Sequence, residues 1–383
     1  MALHFPRPTF AAREDAARAA MAKADLDALL LFKPESMYYL SGYDTFGYCF
    51  FQCLILPRVG APVLLTRSAD LRQARHTSTV QDVRVWTDGA DADPAVALRD
   101  LLDELGLRGR RLGAEYRTHG LTAFDGRRLD AALDGFAETV DASSLVTAQR
   151  LVKSAEELAF VRRAAELADD AWEAALETAR AGADEATILA AMQSAVFLGG
   201  GDYPGNPFII GSGPDALLCR YKTGRRRLDA QDQLTLEFAG VYRHYHACLM
   251  RTLVIGAPSA AQIELFDTCR AALLACEARL VSGGTIGAVF AAHAETLDAR
   301  GLGAHRLNAC GYSLGAVYPP SWMDEPMVYA DSPTRIAPGM VIFLHMIVMD
   351  SERGLAMTLG RTSIVGQDGA EPLSAAPLEL LAR

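Results

Sequence analysis

The sequence predicts an α+β protein of two domains, an N-terminal α/β unit followed by an internally duplicated domain with helices outside a curved antiparallel sheet. Two observations lead to this prediction. Helix and strand patterns alternate over residues 14–142, as in a compact α/β unit. Beyond that stretch the order becomes helix, helix, strand, strand, and this order then repeats. We place the domain boundary between residues 148 and 149.

The N-terminal unit opens with an amphipathic helical pattern in residues 14–32 that runs into an apolar strand at Ala28–Phe32. Two further apolar runs predict strands, and residues 93–107 predict a helix closed by Gly106 and Gly109. These alternating elements predict one mixed layer of helices and strands.

An unusually aromatic segment, residues 37–51, also lies in this unit and includes Tyr43 and Phe46. Such a cluster on a glycine-containing loop can belong to the core or wall a ligand site. Both interpretations stay open from the residues alone.

The C-terminal domain begins with a long helix, for which Ser154 and Glu157 form a capping-box pattern. A second helix is predicted over residues 184–198, and a hairpin follows. Another helix is predicted at Ala260–Leu280, and the region Gly311–Val365 is rich in strand patterns.

Composition excludes several classes of protein. Half of the 383 residues are hydrophobic and the net charge is −10, so a polyanionic partner such as nucleic acid or an anionic membrane surface would be repelled. Seven cysteines without CxxC pairs are typical of a reducing compartment. No apolar run is long enough to span a bilayer. We therefore expect a soluble cytoplasmic protein.

Glu237 is the most informative residue, because it interrupts an apolar strand pattern. On a strand, Glu237 shares a face with Thr235 and Ala239, while the opposite face is apolar. A buried carboxylate must form an ion pair, bind a metal ion or take part in catalysis. One interpretation is a structural ion pair with Arg251 or Arg243, and the other is a catalytic role.

Three segments, in this order along the chain, resemble the pita-bread family of creatinases, prolidases and methionine aminopeptidases. They read RLVKSAEELAFVRRAAELADDA, LEFAGVYRHYHACLMRTLVIG, and GYSLGAVYPPSW followed by PGMVIFLHMIV. The resemblance implies a creatinase-like N-terminal domain over residues 1–148 and a pita-bread catalytic domain over residues 149–383. It also implies a homodimer in which the N-terminal loop of a neighbour covers the site.

Metallopeptidases of this family bind two metal ions through Asp, Asp, His, Glu and Glu. The resemblance aligns those positions with Glu237, Cys248, Tyr312, His345, and Gly360 or Arg361. No position keeps its residue type, and paired dications need bridging carboxylates. We therefore expect no metal and no other cofactor. An alternative remains in which Glu237, Cys248 and His345 hold a single zinc ion.

The hairpin and the turn that follows resemble the metal-free branch of the family, most closely ectoine hydrolase. The resemblance implies that Glu237 is the nucleophile. His345 is the candidate for proton transfer, because an imidazole can serve as acid and base near neutral pH. Tyr312 is expected to donate a hydrogen bond or to orient Glu237. The candidate substrate-binding residues are Tyr43, Phe46, Arg220, Tyr318, Trp322 and Arg361.

Three functional hypotheses follow. The first is a metal-independent hydrolase of a C–N bond in a small cyclic amidine or related compound. The second is a mononuclear zinc hydrolase or peptidase of the same fold. The third is a catalytically inactive pita-bread module that serves only in binding.

Overall fold

The computed structural model describes residues 3–220 and 225–383. The chain divides into two compact units, Met1–Arg150 and Leu151–Arg383, beside the boundary that we placed between residues 148 and 149. Within the described residues, no helix is long and apolar enough to cross a membrane.

The N-terminal unit is a mixed sheet flanked by helices. Its elements in chain order are α1 (Arg7–Lys23), β1 (Ala28–Leu31), α2 (Pro34–Ser41), β2 (Cys53–Pro57), β3 (Val63–Arg67), α3 (Leu71–Thr77), β4 (Asp82–Trp86), α4 (Pro94–Glu104), β5 (Arg111–Ala114), α5 (Ala123–Leu133), β6 (Glu138–Asp141) and α6 (Ser143–Leu151). The strand order is β4-β3-β2-β1-β5-β6. β1 lies in the middle and is buried along its whole length, which explains its continuous apolar sequence.

The aromatic segment of this unit is not a simple loop. Its first part belongs to α2, whose N-terminal end is fixed by the buried carboxylate of Glu115. That carboxylate accepts hydrogen bonds from the backbone N–H groups of Phe32 and Lys33 and from the Ser36 hydroxyl. These bonds give partners to the backbone N–H groups of the two residues that directly precede α2.

The C-terminal unit contains an antiparallel sheet with two helix pairs. Its elements are α7 (Ala155–Thr178), α8 (Glu185–Leu198), β7 (Ile209–Ser212), β8 (Asp232–Tyr242), β9 (Tyr245–Ile255), α9 (Ala260–Glu277), α10 (Ile286–Asp298), β10 (Ala309–Ser313), β11 (Asp324–Tyr329), β12 (Val341–Asp350), β13 (Leu355–Val365) and β14 (Ala370–Pro372). The strand order is β11-β10-β12-β13-β9-β8-β7, and β14 pairs with β13. The predicted α+β class and antiparallel sheet are confirmed.

The first helix of each pair begins with the same device. At the start of α7, the Ser154 hydroxyl accepts from the Glu157 backbone N–H, and the Glu157 carboxylate accepts from the Ser154 N–H. The predicted capping box is therefore confirmed. Ser259 and Gln262 form the equivalent pair at the start of α9. These reciprocal bonds define where each helix begins.

The helices pack against one face of the sheet. α7 contacts β8 and β9, and α9 contacts β12 and β13. Phe238 of β8 stacks on Trp172 of α7. At Gly240 a Cβ atom would lie 1.9 Å from the backbone carbonyl oxygen of Ala164, so α7 lies directly on the strand there. Because successive side chains of a strand alternate, Glu237 points away from this helix-covered face.

Candidate active site

Strand register brings Glu237 and His345 to the same face of the sheet. Glu237 of β8 is paired with Met250 of β9, Met250 with Gly360 of β13, and Gly360 with His345 of β12. Residues paired directly across an antiparallel sheet project to the same side. The face opposite the helices therefore carries both Glu237 and His345.

Tyr312 reaches this face from β10 and contacts both residues. Its hydroxyl donates to Glu237 Oε1 at 3.0 Å, and its ring centroid lies 5.7 Å from that of His345. The indole Nε1–H of Trp322 donates to the Tyr312 oxygen at 2.8 Å. An indole nitrogen can only donate. The Tyr312 hydrogen is therefore directed at Glu237, and one carboxylate oxygen is held in place.

The Glu237 side chain is buried, with the residue 6% exposed. Burial raises the pKa of its carboxyl to about 7, whereas the Tyr312 hydrogen bond and the charge of Arg220 act in the lowering direction. At neutral pH the carboxyl is thus poised between its two protonation states. A cation bound next to it would favour the ionised form.

The His345 imidazole is buried between the rings of Tyr312 and Phe343. Its Nδ1 atom has no hydrogen-bond partner among residues 3–220 and 225–383. Burial lowers the pKa of the imidazole to about 3, with a contribution from the positive charges of neighbouring groups. The ring is therefore neutral near pH 7 and retains a nitrogen for a proton or a hydrogen bond.

The donor set at the aligned positions does not fit two metal ions. Glu237 is the one carboxylate there, and Cys248, Tyr312, His345 and Gly360 supply no second one. Burial holds the pKa of the Cys248 thiol well above its usual value. Within the described part of the chain, no three His, Cys, Asp or Glu side chains are arranged to hold a metal ion. The geometry gives no support to the zinc alternative.

Arg361 lies outside this site, which corrects the expectation from sequence. It follows Gly360 on β13 and so projects to the helix-covered face, where its guanidinium makes two 2.7 Å hydrogen bonds to Glu277 of α9. The Arg361 guanidinium, which we expected to face the substrate, instead forms an ion pair with the buried carboxylate of Glu277.

Arg251 also lies on the helix-covered face, since its neighbour Met250 is the residue paired with Glu237. The Arg251 guanidinium donates to the backbone oxygens of Met250 and Gly360. Glu237 is therefore not ion-paired with Arg251. Arg243 stacks over the Phe160 ring at the hairpin turn.

The remaining candidate residues have different surroundings. Tyr318 is buried and its ring stacks on His244, with centroids 4.2 Å apart. Arg220 is exposed, and its charge acts on both Glu237 and His345. In the N-terminal unit, Tyr43 is buried and its hydroxyl donates to Gln52, as a core residue would.

Phe46, by contrast, is 79% exposed on the N-terminal unit. Tyr43 and Phe46 both belong to the N-terminal unit, whereas Glu237 belongs to the C-terminal unit.

Sequence reasoning missed two residues that bond the loop before β7 to its neighbours. The side-chain oxygen of Asn206 accepts from the Trp322 backbone N–H at 3.2 Å, and His246 Nε2 accepts from the adjacent Gly205 N–H at 2.8 Å. The glycine-rich loop before β7 and the Tyr-His pair in β9 were visible in the sequence. Neither feature indicates that the two segments meet.

The comparisons with known proteins identify the family. Residues 159–367 match the model of Metallopeptidase family M24, and residues 13–152 match the Creatinase/Prolidase N-terminal domain. The first match covers more than half of the chain. The protein therefore belongs to metallopeptidase family M24, with a creatinase-type N-terminal domain and a C-terminal pita-bread domain.

Two relatives match this chain over its whole length, and their names indicate different activities. An uncharacterised hydrolase/peptidase of Sinorhizobium fredii is 27% identical, and the ectoine hydrolase of Halomonas elongata is 25% identical. Each match covers 100% of this chain and 99% of the relative. Xaa-Pro dipeptidases of two Pyrococcus species also match.

Solved structures share the fold. A prolidase from Thermococcus sibiricus superposes with a TM-score of 0.88 at 18% identity, covering 98% of this chain and 99% of that one. At this identity the likeness shows the fold alone.

Proposed function

We propose that this protein is a metal-independent hydrolase that opens a C–N bond of a small cyclic amidine, with Glu237 as the nucleophile. The observation that carries the proposal is the buried Glu237 carboxyl, held at one oxygen by Tyr312 and without a cationic side chain hydrogen-bonded to it in the described residues. An amidinium substrate supplies the missing positive charge. The full-length relationship to ectoine hydrolase supports this class of reaction.

The reaction would proceed in two stages. The Glu237 carboxylate adds to the amidinium carbon, forming a C–O bond while the C=N π electrons move to nitrogen. The ring C–N bond then breaks, and the leaving nitrogen takes up a proton. Water attacks the resulting acyl imidate and releases both Glu237 and an amide. One amidinium and one water become one amide and one ammonium group, so atoms and charge balance.

His345 and Tyr312 have separate roles in this scheme. The neutral His345 imidazole packs against Tyr312, and its Nδ1 atom, which has no hydrogen-bond partner among residues 3–220 and 225–383, would take a proton from the attacking water. Tyr312 fixes one oxygen of Glu237, which leaves the other oxygen for attack. Trp322 acts through Tyr312, because its indole N–H directs the phenol hydrogen.

Substrate charge is the basis for one further assignment, Arg220. The exposed guanidinium of Arg220, whose charge acts on Glu237 and His345, would pair with an anionic group of the substrate. A zwitterion with a cationic ring and a carboxylate would satisfy both Arg220 and Glu237. Tyr318 and Trp322 would form part of the wall.

The proposal extends to the assembly and the compartment. We expect a homodimer in which the exposed Phe46 of a neighbour's N-terminal loop approaches the site. We also expect the protein to work in the cytoplasm, where its free cysteines stay reduced.

The test is turnover by protein that has been stripped with a chelator and analysed for metal content. Ectoine is the first probe, followed by related cyclic amidines, and the product is detected by mass spectrometry as the substrate plus one water. We expect turnover without metal, a loss of about 10³-fold or more in Glu237→Gln, and a substrate adduct on Glu237 in a quenched reaction. Full activity of Glu237→Gln would exclude it as the nucleophile.

A second candidate is an Xaa-Pro dipeptidase, which relatives of that name favour. The aligned positions lack the carboxylates that a pair of divalent metals needs. Incubation with an Xaa-Pro dipeptide and added manganese, cobalt or zinc distinguishes the two candidates. Metal-dependent dipeptide cleavage, with no amidine turnover, would replace the first proposal. The absence of any turnover or adduct would favour a binding module.

A further inference from the structure

The tip of the β8–β9 hairpin has an unusual backbone. Arg243 and His244 both adopt positive φ angles, 51° and 67°, which residues other than glycine seldom do. The surroundings hold this turn in place. The His244 N–H donates to Asp202, its carbonyl accepts from the Val317 N–H, and its ring stacks on Tyr318. The turn therefore joins the loop before β7 to the loop after β10.

His246 lies two residues beyond this turn and is fully buried, at 0% exposed. Its Nδ1 atom is 2.7 Å from the His244 carbonyl oxygen, which can only accept, so Nδ1 carries the hydrogen. Its Nε2 atom accepts from the Gly205 N–H at 2.8 Å. Both hydrogen bonds require the neutral ring, and burial lowers the pKa of His246 to about 3. The imidazole thus connects the hairpin to the loop at residue 205.

That loop is the support of Trp322. Asn206 follows Gly205, and its side-chain oxygen accepts from the Trp322 backbone N–H. The same Asn206 amide donates its nitrogen hydrogen to the Pro207 carbonyl, which agrees with this orientation. A Cβ atom on Gly205 would come within 2.7 Å of the Trp322 backbone nitrogen. The contact between the two loops is therefore close and allows little adjustment.

We propose that His246 is a positioning residue, which acts through Gly205 and Asn206 to hold Trp322 where its indole directs the Tyr312 hydroxyl at Glu237. The hydrogen bonds run from the His246 ring to the loop, from the loop to Trp322, and from Trp322 through Tyr312 to the carboxylate. His246 does not touch the reacting atoms in this scheme. Its effect on turnover rests on the proposed function, whereas its effect on Trp322 does not.

Two substitutions separate the hydrogen bonds of His246. In His246→Gln the side-chain oxygen can replace Nε2 as the acceptor for Gly205. In His246→Asn the side-chain nitrogen can replace Nδ1 as the donor to His244, but no acceptor reaches Gly205. We therefore expect His246→Gln to resemble the wild type and His246→Asn to lose the hydrogen bond to Gly205. His4→Gln is the control, since His4 bonds to Tyr38 in the N-terminal unit.

The first readout needs no substrate. The indole N–H resonance of Trp322, assigned with Trp322→Phe, should shift and exchange faster with solvent in His246→Asn, but stay close to wild type in His246→Gln and His4→Gln. An unchanged Trp322 resonance in a folded His246→Asn protein would overturn the proposal. If His246→Asn fails to fold, Asn206→Ala carries the test, because it removes the acceptor for Trp322 directly.

The second readout is kinetic. With an amidine that the wild type turns over, His246→Asn should lower kcat by roughly 10-fold to 10²-fold with little change in KM. The acidic limb of its pH profile should also move to higher pH, because a loosened Tyr312 hydrogen bond no longer favours the Glu237 carboxylate. A lower melting temperature with an unmoved pH profile would indicate a merely structural role and would overturn the proposal. Failure of all variants to turn over substrate, with the resonance shift present, would instead count against the proposed function.

Discussion

Glu237 and Tyr312 are 75 residues apart in the sequence, and a 3.0 Å hydrogen bond joins the phenol hydroxyl of one to the carboxylate of the other. Tyr312 occupies the position where the resemblance to metallopeptidases implies a metal-binding histidine. In this structure the residue at that position donates a hydrogen bond to the Glu237 carboxylate.

Replacing Tyr312 by Phe should move the pH dependence of turnover. The hydrogen bond from Tyr312 lowers the pKa of Glu237, so its loss raises that pKa and shifts the acidic limb of kcat/KM to higher pH. We also expect kcat to fall by about 10²-fold. Tyr43→Phe is the matched control, because it removes a buried phenol bonded to Gln52 in the N-terminal unit. Equal pH profiles for Tyr312→Phe and wild type would contradict the prediction.

Glu237→Gln should stabilise the protein at alkaline pH. The folded pKa of Glu237, about 7, lies above the ordinary value of 4.5, so the folded state holds this proton more tightly than the unfolded state. Stability from this group is full below pH 4.5 and is lost as the pH rises through 7. The loss amounts to about 3 kcal/mol. A neutral Gln avoids this loss and can still accept from Tyr312.

Urea unfolding at pH 5 and pH 8 measures this effect. The free energy of unfolding of Glu237→Gln should exceed that of wild type at pH 8 by on the order of 1–3 kcal/mol and differ less at pH 5. Both proteins keep some pH dependence of stability from Glu115, because burial also raises the pKa of that carboxyl to about 7. A Gln variant less stable than wild type at pH 8 would show that the ionised Glu237 is compensated in the free protein.

Arg361 should matter for stability and not for substrate. Arg361→Leu leaves Glu277 buried without its partner, which costs about 3 kcal/mol in the free energy of unfolding. The double variant Arg361→Leu with Glu277→Leu should recover part of this loss. KM should stay at the wild-type value in both the single and the double variant. A selective rise in KM would place the Arg361 charge at the substrate after all.

Arg220 provides the contrast. Arg220→Ala should raise KM for a carboxylate-bearing amidine by roughly 10-fold, the loss of one charge-assisted hydrogen bond. It should leave the melting temperature unchanged, since the side chain is exposed. An analogue without the carboxylate should bind wild type and Arg220→Ala alike, and a different result would remove Arg220 from the anionic subsite.

Cys248 distinguishes metal-free chemistry from the zinc alternative. Its backbone N–H and carbonyl are both bonded to the Thr362 hydroxyl, and its thiol is buried beside Glu237. Cys248→Ala should keep turnover within a few-fold of wild type and cost about 1 kcal/mol of stability through the small cavity. A zinc ligand would behave differently: both bound zinc, measured by elemental analysis, and activity would fall together.

Sequence patterns predicted the local features of this molecule well. The capping box at Ser154 and the orientation of Glu237 follow from spacings of three and two residues within a single element. The placement of Arg361 was wrong because an alignment uncertain by one residue, between Gly360 and Arg361, decides which face of a strand a side chain occupies.

The support of the site was harder to predict. His246 and Asn206 accept hydrogen bonds from backbone groups of loops that meet only in the folded chain, and a backbone hydrogen bond leaves no signature in residue type. The helix α2 was missed for a similar reason. Its N-terminal end depends on Glu115, which lies 80 residues away from Glu35 of that helix and is brought there by β5.

The indole of Trp322 gives its hydrogen to Tyr312 and has no lone pair with which to take one back. Trp322 and Tyr312 therefore cannot relay protons to or from Glu237. Any proton that Glu237 gains or gives up must therefore reach the carboxyl from a side other than that of Tyr312. Under the proposed function the substrate would have to approach Glu237 from that same side, so substrate binding and the ionisation of the nucleophile would share one path.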